Sequence, residues 1–105
     1  MKYKRVGESS SLLGCAVRRI EALRDFGDVK AGQRGGFVAL EESLSQEGLC
    51  WVDEGAMVLH KGRVEGDARV TETAVVQDNA VARGSAVLSG SSTLADSAVL
   101  DDFAQ

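Results

Sequence analysis

The chain has 105 residues, 44% of them apolar and 27% charged, with a formal net charge of −4. That is enough for one small folded domain with a modest core, and it argues against disorder and against two independent domains. No apolar run approaches the ~18 residues a membrane span requires, and the polar GESSS after Lys2, Lys4 and Arg5 takes the place of a signal peptide's apolar stretch, so a cytoplasmic protein without membrane contact is expected.

Charge divides the chain unevenly. Residues 1–36 carry eight Lys/Arg (Lys2, Lys4, Arg5, Arg18, Arg19, Arg24, Lys30, Arg34) against Glu8, Glu21, Asp25 and Asp28, net +4. Residues 37–105 carry four bases against twelve acids, net −8. A basic head on an acidic body bears on partners rather than on fold. There is no proline, there are twelve glycines, and only five residues are aromatic. Cys15 and Cys50 lack metal-ligand spacing and are expected to be reduced, buried small residues.

In chain order, residues 1–36 are expected to form a cap. KYKRV, GESSS and the run from Leu12 to Phe26 suggest a β-hairpin leading into an extended segment. AVRRIEALRDF also fits an amphipathic helix through Val17, Ile20 and Leu23; strand is preferred. Arg34-Gly35-Gly36 is expected to be a tight entry into the next unit. Val38 to Leu44 is one six-residue step and Leu44 to Val52 is eight, which places a two-residue bulge near Gly48 and Cys50 in an inward slot. Trp51 belongs on the outer surface or under the cap.

From Val52 the chain divides into nine hexads without insertion: VDEGAM, VLHKGR, VEGDAR, VTETAV, VQDNAV, ARGSAV, LSGSST, LADSAV, LDDFAQ. The first position is always Val, Ala or Leu and the fifth always Ala, Gly or Ser, a pattern that neither helical period produces. A short strand, a turn and another strand accommodates it, with an aliphatic side chain inward and a tiny one where the chain bends. Gly, Asp, Asn and Ser crowd the third and fourth positions, as turns require. Three hexads close an eighteen-residue triangular coil, so residues eighteen apart stack ~4.8 Å apart as parallel sheet.

This spacing resembles the hexapeptide-repeat left-handed β-helix proteins, and the left hand is what the resemblance implies. The string IEALRDFGDVKAGQRGGFV, followed by LSQEGLCWV, is similar to the N-terminal region of a YdcK-like group of bacterial and prophage β-helix proteins, many of them with more coils. The expected fold is therefore all-β: a short single-stranded left-handed parallel β-helix of about three to four coils over residues 37–105, with an N-terminal β-hairpin cap over residues 1–36, the two forming one structural domain.

The resemblance also implies an activity to look for, because many hexapeptide β-helix enzymes are acyltransferases with a histidine base, a projecting loop and acyl-CoA bound between subunits of a trimer. The one histidine, His60, stands at a hexad's third position, and no loop interrupts 52–105. On this reading no residue is catalytic, no cofactor is called for, and the protein is not an enzyme. His60, Asp78 and Asp96 fall in one column and are weak candidates for a metal site, with a structural corner preferred.

The outer faces suggest binding instead. Met57, Leu59 and Val75 fall on an uncharged face suited to self-association as a homodimer or trimer, with Phe103 at the C-terminal end as a further contact. Glu54, Glu65, Asp67, Glu72, Asp78, Asp96, Asp101 and Asp102 gather at turns and edges. These carboxylates suggest docking on a protein with a basic surface, without direct nucleic-acid binding. The expected function is a non-catalytic, phage- or prophage-encoded binding protein that inhibits a host nucleic-acid-binding protein. A self-associating structural protein and an acyltransferase-like protein are the alternatives.

Overall fold

In a computed structural model, which describes residues 1–12 and 14–102, the chain is all-β apart from one short 3-10 turn at Glu41–Ser43. Two long strands, β1 (Tyr3–Leu12) and β2 (Cys15–Ala22), form the predicted antiparallel hairpin. Thus Val17, Ile20 and the residues between them lie on a strand, and the helical alternative is set aside. β3 (Arg34–Val38) follows. Nine short strands then alternate with turns: β4 (Trp51–Val52), β5 (Met57–Val58), β6 (Arg63–Val64), β7 (Arg69–Val70), β8 (Val75–Val76), β9 (Val81–Gly84), β10 (Val87–Leu88), β11 (Thr93–Leu94) and β12 (Val99–Asp102).

The strands stack with an eighteen-residue register, Met57 on Val75, Arg63 on Val81 and Arg69 on Val87, all parallel. Three sheets result, ordered β4-β7-β10, β6-β9-β12 and β1-β2-β3-β5-β8-β11. The fold is the left-handed parallel β-helix, with about four turns. In the third sheet β3 pairs parallel with β5 but antiparallel with β2, so the hairpin continues one wall of the solenoid beyond its first coil.

The interior repeats the hexad. First-position Val52, Val58, Val64, Val70, Val76 and Ala82 are buried, as are fifth-position Ala56, Ala68, Ala74, Ala80 and Ala86. Burying aliphatic side chains in so thin a core works only where the inward residue at each bend is tiny. At Gly62, for example, an added Cβ would lie 2.9 Å from the Val76 carbonyl oxygen. Cys50 occupies the same kind of slot and is fully buried. Toward the C-terminal end the core thins: Leu94 and Leu100 are only partly buried and Ala98 is exposed.

The third hexad position adopts the left-handed conformation in corner after corner: His60, Gly66, Glu72, Asp78, Gly84, Gly90 and Asp96 all have φ between 53° and 67°. Hence glycine and Asp are frequent there, being the residues that enter this region at least cost. Gly35 and Gly36 serve another need. They belong to β3 rather than to a turn, and a Cβ on Gly35 would lie 2.5 Å from the Val52 carbonyl oxygen and 2.7 Å from Ile20, so glycine lets the first coil pack directly under the hairpin.

The cap seals the upper end of the core with Tyr3, Ile20, Ala22, Phe26 and Val29. Trp51 lies under it, fully buried and edge-on to both Tyr3 and Phe26 with ring centroids 6.5 and 5.4 Å away. Lys2 is buried as well. Its ammonium donates to the Cys50 carbonyl at 2.8 Å and the Gly48 carbonyl at 3.2 Å, and stands 4.9 Å from the Phe26 ring centroid. Arg69 secures the loop after the hairpin, pairing with Asp28 at 2.7 Å and with Asp53 at 2.8 Å. Hydrogen bonding from Arg69 holds the Asp28 carboxyl below its usual range.

Two sequence expectations need correction here. Leu59 is fully buried, packed with Val17 and Ala39, while Cys15, Phe37, Met57 and Val75 pack partly against the same cluster. The face assigned to self-association is thus covered in part by the chain's own hairpin, because β2 extends the wall that carries Met57 and Val75. Cys15 is partly exposed rather than buried, although both cysteines are free. Phe103 lies outside the described residues.

Candidate functional site

The column predicted at one corner does assemble. His60 has φ 53°, Asp78 59° and Asp96 60°, so each side chain leaves the coil at the same vertex. His60 Nδ1 lies 3.4 Å from the Asp78 amide nitrogen and 3.4 Å from Asp78 Oδ1. Asp78 Oδ2 in turn accepts from the Asp96 amide at 3.0 Å. Above, the His60 amide faces Cys15 Sγ at 3.5 Å, so the hairpin reaches this corner. The column is a ladder in which a side chain engages the amide one coil below.

This arrangement fixes one side of the imidazole. His60 and Asp78 side chains remain 42% and 39% exposed, so the ring is oriented by its Nδ1 contacts yet open to solvent. The Asp78 amide donates to Nδ1, so the neutral ring carries its proton on Nε2 and turns that N–H outward. An imidazole held in this way can donate a hydrogen bond to a carbonyl oxygen on which negative charge develops. As a metal site the column is poorly equipped: Asp78 is committed to the Asp96 amide, and among the described residues no group of three His, Cys, Asp or Glu side chains is arranged to hold an ion.

The acidic residues do not form one surface. Asp101 pairs with Arg83 at 2.8 Å, and Asp67 Oδ1 accepts from the Leu49 amide at 3.0 Å. Glu54 and Glu72 are exposed at one corner, Glu65 lines a different corner beside Arg83, and Asp96 stands at the third. Asp102 belongs to β12. Sequence reasoning placed these groups at turns but missed the basic partners and amides that several of them serve.

Also missed was a cleft in the cap, lined by Tyr3, Lys4, Arg5, Arg18, Glu41 and Gln46. Only the +4 balance of residues 1–36 hinted at it. Its geometry depends on β1 lying against the Glu41–Ser43 turn, a contact between segments far apart in the chain. The Tyr3 hydroxyl donates to the Leu44 and Glu41 carbonyls, and Gln46 Oε1 accepts from the Lys2 and Tyr3 amides at 2.8 and 3.2 Å. Burial pushes the Tyr3 hydroxyl up to about 12 and also raises the Cys50 thiol.

No family model matches the chain. Among curated proteins it is 38% identical over 72 residues to a protein of Escherichia coli (strain K12) named "Uncharacterized acetyltransferase YdcK". The match covers 68% of this chain and 21% of that protein, so the chain spans about a fifth of the length of the relative it matches. Together the match and the stacked coils agree with a hexapeptide-repeat β-helix. They overturn the expected function: a relative named as an acetyltransferase conflicts with the reading as a non-catalytic inhibitor that is not an enzyme. Spacing alone did not show that, within the acidic body, Asp53 and Asp101 are already paired with arginines.

Proposed function

We propose that this chain is an acetyltransferase-type hexapeptide β-helix protein that takes part in moving an acetyl group from a thioester donor to the amine or hydroxyl of an acceptor. The observation that carries this reading is the 38% identity to a protein named as an acetyltransferase, on a chain that folds as stacked hexapeptide coils. His60 is the residue best placed to serve the reaction, being the one histidine of the chain and oriented through Nδ1 by Asp78. The Nε2–H donates to the thioester carbonyl oxygen as the acceptor nitrogen or oxygen attacks the carbonyl carbon. The new C–N or C–O bond forms, the C–S bond breaks, and the acceptor's proton passes through solvent to the departing thiolate.

The test uses the purified chain with acetyl-CoA and a panel of primary amines and alcohols, following thiol release and thermal unfolding. Acetyl-CoA should raise the melting temperature, and at least one acceptor should drive thiol release. His60→Asn suits the left-handed backbone and should cut the rate by about 10²–10³-fold, the usual contribution of one oxyanion donor. Asp78→Asn should reduce the rate by a smaller factor. Neither a thermal shift nor thiol release, or an undiminished rate in His60→Asn, would overturn the reading.

A further inference from the structure

The cap carries a concentration of positive charge that acetyl transfer at the His60 corner does not use. Arg5 lies opposite Ile20 in the hairpin register, and Arg18, two residues before Ile20 in β2, lies opposite Val38, so both arginines share the strand face that carries these buried residues. Both line the same cleft of about 170 Å³, together with Lys4. Single hydrogen bonds tether them, from Arg5 Nη2 to the Ala39 carbonyl at 3.1 Å and from Arg18 Nε to the Gly7 carbonyl at 3.1 Å.

Three further observations point to a ligand. Among the described residues, no carboxylate lies within ion-pairing distance of Lys4, Arg5 or Arg18, although the chain as a whole carries an excess of acid. Arg5 Nε is buried without a hydrogen-bond partner among the described residues, an expensive condition for a charged donor. Glu41 is the one acid lining the cleft, against Lys4, Arg5 and Arg18. Guanidinium groups present paired donors that match phosphate oxygens, and two beside a lysine suit a ligand with more than one negative charge. The cleft is smaller than the ~300–1,000 Å³ pockets that take drug-sized ligands, which suits an anionic group rather than a whole nucleotide.

From this we infer that the cap cleft binds a phosphate or pyrophosphate group through Arg5, Arg18 and Lys4. The inference is independent of acetyl transfer. The group could arrive free or as the phosphorylated portion of a larger molecule, and the two sources are separable.

The experiment is calorimetric titration of the full chain with inorganic pyrophosphate at low salt, repeated with coenzyme A. Arg18→Gln should weaken pyrophosphate binding about tenfold, in line with loss of a charge-assisted hydrogen-bonding group, while Arg24→Gln, exposed and away from the cleft, should leave it unchanged. Arg5→Lys keeps the charge and removes the fork, and should weaken binding while preserving the melting temperature. Competition between coenzyme A and pyrophosphate would assign the cleft to a phosphorylated molecule. Pyrophosphate binding without competition would assign it to a free anion. Either supports the inference. Absence of pyrophosphate binding, or equal affinity in Arg18→Gln and the parent, would overturn it. His60→Asn should bind pyrophosphate normally, so this result and the acetyl-transfer result fail separately.

Discussion

Among the described residues, four other than glycine sit in the left-handed region, and their side chains fare differently. His60 and Asp78 each engage the coil below, whereas the exposed Glu72, at φ 57°, makes no hydrogen bond among the described residues. An L-residue with a long side chain costs roughly 1 kcal/mol in this region, and asparagine enters it more readily. Glu72→Asn should therefore stabilise the fold by about 0.5–1 kcal/mol, which is a few degrees in melting temperature for a domain of this size. Asp78→Asn should change stability less, since Asp already tolerates the conformation. A lower melting temperature for Glu72→Asn would show that its carboxylate does something the geometry does not reveal. The third hexad position was legible as a turn from its Gly and Asp content. That His60 would meet both the amide and the carboxylate of Asp78 was not, because it depends on the φ value that aims each side chain down the column.

At the scale of elements, the hairpin explains both what the sequence disclosed and what it concealed. Alternation in KYKRV and AVRRI announced strands, and the hexads announced the coils beneath. Nothing local announced that β2 would pair with β3 and shelter Leu59, since that pairing joins segments separated by a loop with its own Phe26–Val29 bridge. Nor did composition suggest that Lys2, in a basic and polar opening, would be buried against carbonyls of the 47–50 loop. These contacts make the cap's attachment sensitive to alkali. The Tyr3 hydroxyl is raised to about 12 and the Cys50 thiol is raised too, both chiefly by burial. A group whose folded pKa exceeds its unfolded value contributes stability below the unfolded value and loses it as pH rises toward the folded one. Stability should accordingly fall above about pH 9–10, the range in which free thiols and phenols ionise. Tyr3→Phe should flatten this fall while lowering stability at neutral pH, because the Leu44 carbonyl loses its donor. The check is chemical denaturation of both proteins from pH 7 to pH 11. An unchanged alkaline slope in Tyr3→Phe would remove Tyr3 as its source.

At the scale of the whole molecule, each coil contacts only its neighbours, so stability should vary along the axis. The two ends differ. At the upper end Trp51 is buried between Tyr3 and Phe26, and the first wall is extended by two long strands. At the lower end Leu94 and Leu100 are half-covered, and Val87 and Val99 are 60% and 52% exposed. Local opening free energies track buried apolar contact, and elements that bury little open first. Backbone amides of the Thr93–Asp102 strands should exchange with solvent soonest, those of Arg69–Val81 later, and those of Trp51–Val58 latest of the repeat region. Hydrogen exchange with residue-level readout tests this order directly. Equal protection along the axis would mean that the coils open together and that the cap stabilises all of them at once. A gradient would place the His60–Asp78 corner, between the first and second full coils of hexads, in the well-protected part of the molecule. A hydrogen-bond donor acting there would then be held by a rigid frame, and substrate-dependent change would be confined to the coils below it.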